Sequence, residues 1–170
     1  MKKTAIVSAA LAAAAVGAAA WSLAQQGNNP RGKATLPGGK VTVDYGRPSA
    51  SGRDVMAMIA PGSYWRMGAD SATTLTTEAD LQFGDQAVPK GSYTLVAHFL
   101  EKEKWSLVIC KDTGERFQPE GTVAEVPGSF EKGQPLVEQL TIDLKEEAGK
   151  ARLVLSWGAY RLAASFKVAS

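Results

Sequence analysis

The run Ser92-Tyr93-Thr94-Leu95-Val96-Ala97-His98-Phe99-Leu100, the tip Glu101-Lys102-Glu103-Lys104 and the return Trp105-Ser106-Leu107-Val108-Ile109-Cys110-Lys111 decide the fold. Tyr93, Leu95, Ala97 and Phe99 recur every second residue, as do Trp105, Leu107 and Ile109, which is the period of strands with one buried face. A charged tip between two such rows predicts an antiparallel hairpin. Both rows reach the same core only if the numbers of paired residues sum to an even value, so Phe99 must oppose Trp105 or Leu107. His98 and Cys110 then fall on the outer face.

The same alternation extends in both directions. Val41, Val43 and Tyr45 alternate with Thr42, Asp44 and Gly46, and Pro48 ends that strand. Strand signals over residues 73–78 and 79–83, with a Gly84-Asp85 turn, read as a meander leading into the hairpin. Closing strands carry Leu140, Ile142 and Leu144, then Leu153, Leu155 and Trp157, then Tyr160, Leu162, Ala164, Phe166 and Val168. The separators are Ala148-Gly149 and Gly158-Ala159. Residues 54–60, between Gly52 and Pro61, predict one short helix with Ser51 as its cap. Lys111 to Pro135, punctuated by Gly and Pro, reads as irregular with at most one strand near Val123 to Val126, covering one end of the fold. About eight short strands at this spacing predict an all-β chain, an antiparallel β-sandwich or jelly-roll-like domain with one short helix.

The start of the chain is of another kind. Met1-Lys2-Lys3, an apolar stretch from Ala5 to Ala20 and Ser22-Leu23-Ala24 have the layout of a signal peptide over residues 1–24, with Ala18 and Ala20 offering a second cleavage point. The alternative is an uncleaved anchor, for which the run is short and mostly alanine. Residues 25–39, rich in Gly, Asn, Pro and Lys, read as a flexible segment or loose strand, and residues 40–170 as a single domain. The expected location is periplasmic or secreted.

Of 19 basic residues, Lys2 and Lys3 belong to the leader, leaving 17 against 17 acidic. A neutral domain without a basic stripe argues against nucleic acid as a partner, and leaves a membrane only through the leader. One cysteine and one histidine exclude an intrachain disulfide, multi-Cys/His zinc sites and a blue-copper site. No metal and no cofactor is expected.

Asp44-Tyr45-Gly46-Arg47-Pro48-Ser49, Gly52-Arg53 and Tyr64-Trp65-Arg66-Met67-Gly68-Ala69-Asp70, followed by Pro89-Lys90-Gly91-Ser92-Tyr93-Thr94-Leu95 and the Trp105 strand, resemble a bacterial exported family catalogued as domain of unknown function 2911. The resemblance implies a β-rich exported domain and no mechanism. The chain departs from the family pattern at Cys110-Lys111 and at Ala60-Pro61-Gly62-Ser63.

The residues of these motifs are the candidate site. Arg47, Arg53 and Arg66 lie at turns, where guanidinium forks grip a carboxylate or phosphate, or else pair with Asp44, Asp54 or Asp70 and tie loops to the sheets. Tyr64 and Trp65, with Tyr45, either offer an aromatic platform or belong to the core. Asp70 completes the set. His98 reads as a lone surface histidine, and Cys110 as a thiol whose pKa Lys111 would lower. No nucleophile elbow occurs. The expected function is a non-catalytic binding or interaction module for an envelope glycan, peptide or protein. The alternative is a hydrolase of envelope glycan or peptide using carboxylates near the Trp65-Arg66 motif.

Overall fold

A computed structural model describes residues 27–111 and 117–169; the leader lies outside them. The strands are β1 (Arg31–Thr35), β2 (Val41–Gly46), β3 (Ser63–Trp65), β4 (Thr73–Thr77), β5 (Leu81–Phe83), β6 (Gln86–Val88), β7 (Gly91–Glu101), β8 (Lys104–Lys111), β9 (Thr122–Pro127), β10 (Ser129–Glu147) and β11 (Lys150–Val168). A seven-stranded sheet runs β1-β2-β4-β7-β8-β9, with β3 also on β7, and a four-stranded sheet runs β10-β11-β5-β6. All the strand pairings are antiparallel. The fold is all-β, as the alternation predicts.

The deciding hairpin is β7–β8, which pairs Phe99 with Trp105 and Leu95 with Ile109, the even-sum register. Its apolar rows meet those of β10 and β11 in one core that includes Leu140, Ile142, Leu153 and Leu155. Trp105 is buried at the edge of that core and donates its indole N–H to the Ser129 carbonyl at 2.9 Å. A Cβ on Gly128 would sit 2.3 Å from the indole ring, so glycine is what lets the chain pass over it.

Four local expectations need correction. The meander is interrupted: β4 pairs with β7, while the β5–β6 hairpin between them belongs to the other sheet. Period-two patterning says which face is buried, not which neighbour a strand takes. The short helix is a 3-10 turn, Val55–Met58, capped by Asp54 rather than Ser51, because the Asp54 carboxylate accepts from the Met56 and Ala57 N–H groups. Ser51 instead has φ 51° in a turn.

Of the two readings of residues 25–39, the strand is the one found: β1 lies there, its Ala34 buried against the core and its Arg31 bonded to Asp44. The stretch from Lys111 to Pro135 holds its one expected strand, as β9, but also the start of β10, which the pattern does not predict; residues 112–116 lie outside the described part. Finally, Gly158-Ala159 is not a turn. β11 runs straight through it, and Gly158 at φ 57° absorbs the change of parity between Trp157 and Tyr160.

The sheets are joined at both sides. On one side Gln86 of β6 makes two bonds to the main chain of Glu125 in β9, accepting its N–H at 3.0 Å and donating to its carbonyl at 2.7 Å. On the other, the chain beyond β2 runs along β10: Leu140 N–H donates to the Pro48 carbonyl at 3.0 Å, Ala50 N–H to the Glu138 carbonyl at 2.7 Å, and Ser49 bridges Gln139. Gly46 makes this path possible, since a Cβ there would lie 2.1 Å from the Ala69 carbonyl oxygen. Gly46→Ala is therefore expected to cost at least about 3 kcal/mol in urea unfolding, against no more than about 0.5 kcal/mol for Gly121→Ala, where space is open.

Candidate functional site

The motif residues fold into the seam just described. Arg47, half-buried, donates from Nε to the Leu140 carbonyl at 3.2 Å and from Nη2 to Thr141 Oγ1 at 3.4 Å. Arg53 donates to the Ala50 carbonyl at 3.0 Å and the Ser49 carbonyl at 2.9 Å. Arg66 donates to the Asp70 carbonyl at 2.5 Å, closing a turn in which Met67 and Asp70 both have positive φ. Each guanidinium serves a main-chain carbonyl, not a carboxylate. Asp70 accepts from the main-chain and side-chain amides of Asn29 at 3.2 and 3.4 Å.

The aromatic residues part company. Tyr45 is buried and donates its hydroxyl to the Ile142 carbonyl at 3.2 Å. Trp65 packs on the core and stacks with Trp157 at 5.7 Å between centroids. Tyr64 lies on the opposite face of β3, stacked on His98 at 4.2 Å and against Phe117 at 4.6 Å. Even with these two rings against it, Tyr64 remains 42% exposed.

His98 is correspondingly not a lone surface histidine. Its side chain is 17% exposed, and Nδ1 lies 2.8 Å from Glu125 Oε1. Cys110, on the same face, is buried with Val96 and Val108 beneath Phe117. That burial pushes its thiol pKa up, the reverse of the effect expected from Lys111.

The Gly52-Arg53 motif reaches an open cleft. Arg53 and Asp54 form a wall of a cavity of about 370 Å³ whose other side is β10 at Lys132 to Glu138 and β11 at Gly158 to Tyr160. Ala50, Val137, Ala159 and the Tyr160 ring make it apolar. The bulge in β10 between Lys132 and Val137 leaves Leu136, 66% exposed, as its lip. Lys132 Nζ stands 5.5 Å from the centre of the Tyr160 ring, a cation–π contact. The Tyr160 hydroxyl donates to Asp54 Oδ1 at 2.8 Å. That bond holds the Asp54 carboxyl below its ordinary pKa and raises that of the phenol.

Sequence reasoning missed Lys132, Leu136 and Tyr160 as a group. Their only signal was the Gly133-x-Pro135 punctuation opposite Gly158. Chemically, the cleft is equipped to bind: its tyrosine is held protonated, Asp54 is committed to a cap and a phenol, and Glu138 Oε1 accepts the Ser51 N–H at 2.9 Å. Among the described residues no three His, Cys, Asp or Glu side chains group as metal ligands, and no helix is long and apolar enough to cross a membrane.

A family described as protein of unknown function (DUF2911) matches residues 29–166, from just before β1 to the end of the core of β11. No curated protein matches the chain, and no solved structure does either.

Two outcomes check this geometry. Asp54, with its folded-state pKa lowered, adds stability that is present above the ordinary aspartate range and lost as pH falls through it. Tyr160→Phe removes the main cause, so the gap in Tm between wild type and variant at pH 7 should close as the pH falls below the ordinary aspartate range. Cys110 should resist a thiol-reactive dye in the folded protein and react on addition of urea.

Proposed function

The chain belongs to the DUF2911 family, and from that premise we propose that it is a non-catalytic ligand-binding domain acting outside the cytoplasm, with the cleft between the Gly52–Asp54 turn and the β10 bulge as its binding surface. The observation that carries this reading is the lip. Leu136 stands exposed beside an apolar hollow, and among the described residues Lys132 has no carboxylate partner within salt-bridge distance. Pockets that combine an apolar lining with a few directed polar groups are the usual form of a small-ligand site. The cleft suits an apolar group carrying a carboxylate or phosphate, the apolar part against Leu136 and Tyr160 and the anion at Lys132 and the free N–H groups of Arg53. Cell-envelope peptides and acylated or acidic glycans have that chemistry, and the leader-like residues 1–24 favour that compartment.

The hydrolase reading is less well supported. It needs two carboxylates free to work across one substrate, yet of the candidates Asp70 is bonded by Asn29, Asp44 by Arg31 and Asp80 by the Lys90 N–H, which leaves Glu78 without a second carboxylate free to work with it.

The test is a thermal-shift titration with envelope peptides, acidic glycans and short-chain carboxylates. A compound that binds only the folded state raises Tm, by about 2.7 kcal/mol of stabilisation at a hundred times its Kd. Lys132→Ala and Leu136→Asp, both at exposed positions, should abolish that rise without lowering the Tm of the free protein. Arg47→Ala should do the opposite, costing about 1–2 kcal/mol of stability through the lost seam bonds while binding persists. A rise that survives both cleft variants would place the site elsewhere.

A further inference from the structure

We propose that the arch of β10 between Lys132 and Val137 is a lid, which folds down over a ligand in the cleft and carries Leu136 out of solvent onto it. The inference rests on the cleft being the binding surface and concerns how that surface closes.

The arch follows from the register. Between Lys132, opposite Tyr160, and Val137, opposite Gly158, β10 takes five steps while β11 takes two. Residues 133–136 therefore leave the ladder as a large bulge, pinned at each end by a paired residue. Gly133, beside the first pin, has φ 152° and open space around the place of its missing Cβ, so the backbone can turn there without strain or collision. A hollow of about 50 Å³ lies between Gly133 and Pro135 of the arch and Ala159 and Arg161 of β11. The arch thus has room to sink.

Apolar surface supplies the direction. Leu136, 66% exposed, stands at the mouth of the 370 Å³ cleft, whose apolar wall is Ala50, Val137, Ala159 and the Tyr160 ring. Volume keeps the two apart. One leucine side chain cannot fill that space, and closing over a void would leave the lining without contacts, so burying Leu136 gains little until something else occupies the remainder. The apolar part of a ligand is that filler, and closure becomes the favoured position only in its presence. The opposite wall stays fixed, because Arg53 is tied to the Ser49 and Ala50 carbonyls and Asp54 to the Tyr160 hydroxyl. The arch is the side that moves.

Octanoate is the probe and butanoate its short counterpart, each titrated by thermal shift and then held at saturation. In the free protein the amides of Gly133 and Leu136 should exchange with deuterium as fast as those of the Ala148-Gly149 turn. Octanoate should slow the arch amides about tenfold and leave the turn unchanged, and butanoate should slow them less because it leaves part of the hollow empty. A thiol introduced by Leu136→Cys should react with a thiol-reactive dye at once in the free protein and about tenfold more slowly with octanoate bound, while buried Cys110 stays silent. The lid is overturned if octanoate raises Tm while exchange and thiol reactivity at the arch do not change, a result that keeps the cleft as a binding surface with a fixed lip. It is also overturned if the arch amides are already protected in the free protein. If neither carboxylate raises Tm, the cleft does not take an apolar anion, and the lid falls with that reading.

Discussion

The hydrogen bonds that carry the chain from β2 onto β10, between Pro48 and Leu140 and between Ala50 and Glu138, are the constraint on which the rest depends. Apolar burial holds two sheets together but is indifferent to how far one slides over the other, because it has no direction. The seam supplies the direction. It places Tyr45 under the Ile142 carbonyl and Arg47 on Leu140 and Thr141, and with those anchors the inner rows of β2 and β10 can meet in only one way. The opposite side is closed more lightly, by the Gln86 amide on the Glu125 main chain and the Trp105 indole on the Ser129 carbonyl.

The seam in turn requires two backbones to touch. Gly46 lies against Ala69, an approach that leaves no room for a Cβ on Gly46, and Gly68 lies close against Gly46. The turn on the far side of this contact is strained, with Met67 and Asp70 at positive φ, a conformation that costs of order 1–3 kcal/mol per residue and persists only when its surroundings insist on it. The insistence comes from Arg66 on the Asp70 carbonyl, Thr73 on the Met67 carbonyl and Asn29 on the Asp70 side chain. The two motifs are thus halves of one joint.

The core was legible because burial leaves a period in the sequence. Every residue of the rows Tyr93 to Phe99, Trp105 to Ile109, Leu140 to Leu144 and Leu153 to Trp157 is buried, and parity alone selected the register of β7 and β8. Pairing partners were not legible, since β5 and β6 carry the same alternation whichever sheet they join. Parity also becomes ambiguous where it slips. Between Trp157 and Tyr160 the inward set changes from odd to even, which a turn and a bulge explain equally well, and Gly158 is at home in both. The outer face misled for a related reason: His98 and Cys110 were assigned to it correctly, but nothing local announced that Tyr64 and Phe117 would cover them.

The candidate site was legible only at its edge, and the reason is physical. Arginines, tyrosines and an aspartate grouped in turns look alike whether they grip a ligand or a carbonyl, and here the spacing that makes the motif recognisable is the spacing the joint needs. A family signature built from such residues reports architecture first. The open cleft lies instead where the regular pattern fails, at the β10 bulge opposite Gly158, because a strand that leaves its ladder exposes Leu136 and Lys132 without losing the core beneath them. Of the motif, only Arg53 and the adjacent Asp54 take part in both: Arg53 holds the turn through the Ser49 and Ala50 carbonyls, and in doing so brings the wall of the cleft up to the bulge. The joint that closes the sandwich is therefore also what gives the cleft its second side.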